Sequence, residues 1–132
     1  MVEKIEEQGS EALIENMLPD LVSDFTKVNN KKLMTELEQM FAEADRQALI
    51  AALRGMAERE SRDELLKSID VPTILIFGEE DSVTDLNVAR SMQNRISNSD
   101  LFIIKNAGHY SNLEQPEQFN SVLLNFLTEV KL

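Results

Sequence analysis

The amino-acid sequence predicts an α/β protein whose elements are segregated along the chain: helices alone up to about residue 66, then strand, helix, strand, helix. Two observations carry this reading. Up to Leu66 the apolar residues recur at three- and four-residue spacing, the period of a helix with one buried face. Beyond Val71, Thr73-Ile74-Leu75-Ile76-Phe77 and Leu101-Phe102-Ile103-Ile104 are short, unalternating apolar runs of the kind buried on both faces of a parallel sheet.

In the first segment, Leu13, Met17, Leu21 and Phe25 share a helix-like spacing, which Pro19 should break or restart because proline lacks an amide hydrogen. Asn30 is a candidate N-cap for a second helix, with Leu33, Met34, Leu37, Met40, Phe41 and Ala44 on one side. Asp45 opens a third, carrying Ala48, Leu49, Ala52, Leu53 and Met56. Glu3, Glu6, Glu7, Glu11 and Glu15 are the densest acidic group and read as a solvated helix face. In the second segment, Val88, Ala89, Met92 and Ile96 lie at helical spacing between the two strands. That connection is long enough for a crossover helix, so the strands should be parallel. A last helix opens near Pro116 and carries Phe119, Val122, Leu123, Phe126, Leu127 and Val130.

At 132 residues the chain is expected to form one hydrophobic core, and its 42% hydrophobic and 28% charged residues are those of a globular protein. The formal net charge of −11 argues against nucleic acid or an anionic membrane as partner, since phosphate binding requires clustered Lys and Arg. Without cysteine there is no disulfide framework, thiolate nucleophile or zinc–thiolate site, and no metal or organic cofactor is expected. No apolar run approaches the roughly 18 residues of a membrane helix, and the opening residues lack a signal peptide's basic start and apolar stretch. The chain is expected to be cytoplasmic.

In open α/β sheets, ligands and catalytic groups collect at the carboxyl ends of the strands. Two loops qualify: Gly78-Glu79-Glu80-Asp81-Ser82-Val83-Thr84 and Asn106-Ala107-Gly108-His109-Tyr110-Ser111. Neighbouring strands lie roughly 4.8 Å apart, so side chains from these loops can meet. A carboxylate on one ring nitrogen of His109, the sole histidine, would fix its tautomer and stabilise its protonated form during proton transfer. Asp81 is assigned that role and His109 that of general base; Glu79, Glu80 and Asp85 are alternative acids.

The succession Val71-Pro72-Thr73-Ile74-Leu75-Ile76-Phe77-Gly78-Glu79-Glu80-Asp81, then Ala107-Gly108-His109, then Asn112-Leu113-Glu114-Gln115-Pro116-Glu117-Gln118-Phe119, closely resembles the end of the small α/β-hydrolases, a family of esterases, lactonases and relatives. In that family the strand ending in Gly-x-x-Asp supplies the acid of a catalytic triad and the later Gly-His its base, which the resemblance carries onto Asp81 and His109. It implies a partial α/β-hydrolase fold: a helical cap-like segment over residues 1–66 and the C-terminal β-α-β-α part of the core over 67–132. Met17, Met34, Met40, Met56 and Phe41 are candidates for an apolar pocket, although such spacing more often marks core.

The family's nucleophile sits in a Gly-x-Ser-x-Gly elbow. Of Gly9, Gly55, Gly78 and Gly108, no two are four apart, so these residues contain no such motif, and Ser82 and Ser111 are remote substitutes. The expectation is therefore a truncated ester- or lactone-type hydrolase, inactive alone and completed by a missing N-terminal half. The alternatives are a non-catalytic interaction module on a hydrolase scaffold and a stand-alone hydrolase with an unusual nucleophile. An unpaired strand edge beside apolar side chains further predicts a homodimer, joined through that edge or through the cap-like helices.

Overall fold

Short polar side chains set the starts of three helices in the first half. Ser23, Asn30 and Asp45 each accept a hydrogen bond from the amide three residues on, capping α4 (Asp24–Asn29), α5 (Lys31–Glu43) and α6 (Arg46–Glu58). Before them, in this computed structural model, which describes residues 2–130, come α1 (Val2–Gln8), α2 (Glu11–Asn16) and α3 (Leu18–Leu21). Gly9, at φ 71°, makes the left-handed turn between α1 and α2.

The helical run around Pro19 is thus broken more finely than its spacing suggests, into α2, α3 and α4, with the proline in the first turn of α3. Its residues do not share one face: Leu13 and Leu21 are buried, whereas Phe25 is exposed. The helices close on a core of their own, built from Ile5, Ala12, Leu13, Leu18, Leu21, Val22, Leu33, Leu37, Phe41 and Ile50. In α5 the expected face holds for Leu33, Leu37 and Phe41, but Met40 points to solvent. In α6 the buried side turns on Ile50, with Leu49 and Leu53 partly buried, and leaves Ala48, Ala52 and Met56 outside. Phe41 belongs to this core, and the exposed Met40 and Met56 do not join it.

A 3-10 turn (Asp63–Ser68) leads into β1 (Thr73–Gly78), α7 (Leu86–Arg95), β2 (Ser99–Ile104), the short α8 (Ser111–Glu114) and α9 (Pro116–Glu129). The strands form a two-stranded parallel sheet in the register Thr73↔Ser99 through Gly78↔Ile104. Asp85 caps α7 by accepting from the Asn87 and Val88 amides. Burial on both faces is incomplete: Leu75 and Ile104 are buried, but Phe102 and Ile103 are about two-fifths exposed, because two strands and two helices cannot cover a sheet of this hydrophobicity. The register puts the loops after β1 and β2 side by side at one end of the sheet.

Candidate active site

Gly78 ends β1 with the second loop lying directly on it. A Cβ there would collide with the carbonyl oxygens of Ala107 and Gly108, so only glycine admits this approach. The Glu80 amide donates to the Ala107 carbonyl at 2.8 Å, and Asn106 takes the left-handed conformation at φ 55°, which asparagine tolerates. These constraints turn the two loops toward each other.

They bring Asp81 and His109 together. His109 Nδ1 lies 3.0 Å from Asp81 Oδ2, and since an ionised carboxylate only accepts, the contact selects the Nδ1–H tautomer. The Val83 and Thr84 amides both donate to Asp81 Oδ1 at 2.9 Å, and the Thr84 hydroxyl donates to Oδ2 at 2.7 Å. Burial alone would raise the pKa of Asp81. The hydrogen bonds from the Thr84 amide and hydroxyl, from His109 and from the Val83 amide outweigh it and hold the carboxyl below its ordinary range. The Asp81 side chain is 4% exposed and that of His109 36%, so the acid is sealed while the imidazole reaches solvent. Nε2 has no partner among the described residues and is free to take or give a proton.

The other carboxylates of these loops are engaged elsewhere. Glu79 accepts weakly from the Asn106 amide, Glu80 accepts from the Asp24 amide at 2.9 Å, and Asp85 caps α7. The Ser82 hydroxyl donates to the Asp20 carbonyl, and Ser111 is buried at the start of α8. The sequence assigns no role to two participants, although both stand in its candidate segments: Thr84, which steadies Asp81, and Glu114, a buried carboxylate that accepts from the Gly108 amide at 2.7 Å and from the Ser23 amide at 2.8 Å. Tyr110 packs partly against the helical core, where burial pushes its phenol pKa up.

Residues 16–116 match the family model of the α/β-hydrolase fold. The chain belongs to this family. It is 32% identical over 130 residues to 3-oxoadipate enol-lactonase 1 of Acinetobacter baylyi, an alignment covering 92% of this chain and 48% of that protein. A carboxylesterase of Bacillus subtilis is 41% identical over 66 residues, 49% of this chain and 22% of the esterase. Among solved structures, a thermophilic esterase from Thermogutta terrifontis superposes with a TM-score of 0.92 at 28% identity, covering 97% of this chain and 47% of that one. The chain therefore spans about half the length of the enol-lactonase and of the superposed esterase. The partial α/β-hydrolase fold expected from the sequence is the fold observed. Among the described residues no helix is long and apolar enough to cross a membrane.

Proposed function

We propose that this chain supplies the cap and the acid–base pair of a hydrolase acting on ester- or lactone-like small molecules, with residues 1–66 as the cap-like segment and 67–132 as the C-terminal part of the core. The single observation that carries the proposal is the buried, hydrogen-bonded Asp81 holding His109 by Nδ1 while Nε2 stays open. In this reading His109 Nε2 takes the proton from a serine hydroxyl as it attacks the substrate carbonyl, then returns it to the leaving oxygen. Asp81 orients the ring and stabilises its charged form. The serine and the oxyanion donors come from residues outside this chain, in a segment packed on the open side of the sheet. The enol-lactonase and esterase relatives support the substrate class. A cytoplasmic setting belongs to the same proposal and accords with the cysteine-free sequence.

The test is hydrolysis of short-chain nitrophenyl esters by the chain alone and after co-expression with the N-terminal portion of the enol-lactonase relative. The expected result is turnover only in the combined sample, lowered about 10²–10⁴-fold by His109→Ala. Equal rates with and without His109 in a combined sample that forms a complex would leave the pair without a catalytic role and favour a non-catalytic module. His109-dependent turnover by the chain alone would mean that a nucleophile or water is activated within it.

A further inference from the structure

We infer that Glu114 is the positioning residue that keeps His109 in reach of Asp81, by clamping the peptide before the histidine to the helical segment. Glu114 is 5% exposed, and its partners among the described residues are not cations but main-chain amides and a hydroxyl. Oε1 accepts from the Gly108 amide at 2.7 Å; Oε2 accepts from the Ser23 amide at 2.8 Å and lies 2.7 Å from the Ser23 hydroxyl. A buried carboxylate is costly unless such donors satisfy it, so the arrangement is held as a unit. It joins residues far apart in sequence, Ser23 between α3 and α4 and Gly108 next to the histidine.

The two backbones are in contact at this point. A Cβ on Gly108 would lie 2.8 Å from the Ser23 nitrogen and 2.8 Å from the Val22 carbonyl carbon. On the other side of the histidine, the Tyr110 amide donates to the Leu21 carbonyl at 3.1 Å. The residues flanking His109, Gly108 and Tyr110, are thus fastened by their amides, one through Glu114 and one directly, to the short stretch Leu21–Ser23. The ring itself is over a third exposed and is held by Asp81 and Thr84, so its position depends on this backbone anchorage. Substituting Gln would break the clamp in either orientation: an amide offers one accepting oxygen where two backbone donors must be met, and its NH₂ would face an N–H.

The inference deepens the acid–base reading and rests on it for its catalytic meaning, but it is measured without turnover. As the sole histidine, His109 gives a single pair of ring ¹⁵N signals, which report the tautomer of the neutral form. The expected result is Nδ1–H in the native chain and a mixture dominated by Nε2–H in folded Glu114→Gln, with exchange of the Gly108 amide about 10- to 100-fold faster. A folded variant with the native tautomer and native Gly108 exchange overturns the clamp alone. An Nε2–H tautomer already in the native chain overturns the Asp81–His109 pair, whatever Glu114 does. Should Glu114→Gln fail to fold, the native chain still decides: the Gly108 amide must exchange far more slowly than the Asn106 amide, whose bond to exposed Glu79 is 3.4 Å long. Equal exchange of the two overturns the clamp.

Discussion

Asp81 stays ionised in a place where burial opposes charge, because four donors converge on it. The sign of the resulting pH dependence follows. A carboxyl whose folded pKa is lowered adds stability that is fully present above its unfolded value, about 3.9, and is lost as pH falls through the lower folded value. Asp81→Asn should therefore destabilise the chain by about 1–3 kcal/mol at neutral pH in urea unfolding. The gap between variant and native protein should close below about pH 4, within that window; a gap independent of pH would mean that Asp81 is not held charged by these donors. The sequence made the meeting of the two loops legible, because neighbouring parallel strands bring such loops together, but with Glu79, Glu80 and Asp85 as alternative acids it was the family resemblance that pointed to Asp81 as the partner of His109. The roles of Thr84 and Glu114 were not legible: Thr84 stands in the first candidate loop and Glu114 in the motif that carries the resemblance, but neither position says what its side chain meets. The Ser23 partner of Glu114 lies 91 residues away and emerges only from the fold.

Among the elements, caps and strands were more legible than helix faces. Asn30 and Asp45 announce α5 and α6 through local hydrogen bonds, whereas the buried side of α6 is decided by where α1 packs, which moved it from Ala48 and Met56 to Ile50. The connections after the strands impose sharper demands than the strands themselves. Gly78→Ala and Gly108→Ala each push a methyl group into backbone that cannot swing away, and each should cost about 1–3 kcal/mol in chemical or thermal unfolding. Gly55 is the contrasting case: it lies within α6 with nothing within 4 Å of an added Cβ, so Gly55→Ala should stabilise the chain by about 0.5–1 kcal/mol. If all three alanine variants shifted the melting temperature alike, the close approach of the two loops would not be the reason for glycine at 78 and 108.

For the whole molecule, the decisive feature is an imbalance in how apolar surface is covered. The helices of the first half close on their own core, although Phe25, Val28, Met40 and Met56 stay exposed on them, and in the second half Phe102 and Ile103, on opposite faces of the sheet, are exposed together with Leu124 and Leu127. The edge of β1 is open as well. The Thr73 amide donates to the Asn98 carbonyl and the Glu79 amide to the Ile104 carbonyl, so the odd-numbered residues serve the β1–β2 ladder and the amides of Ile74 and Ile76 face away from it. In the absence of the segment that we propose packs there, this edge is a template for a second copy, and we propose that the isolated chain dimerises through it. Sedimentation should then show mass rising with concentration from 15.0 kDa toward twice that value. Ile76→Pro deletes an outward-facing donor without removing a β1–β2 bond, and should hold the protein at monomer mass while circular dichroism retains the native helical signal. A native chain that stays monomeric at high concentration would show that the open edge does not pair, and a proline variant that still dimerises would move the contact to the exposed apolar side chains of the cap-like helices, Phe25, Val28, Met40 and Met56.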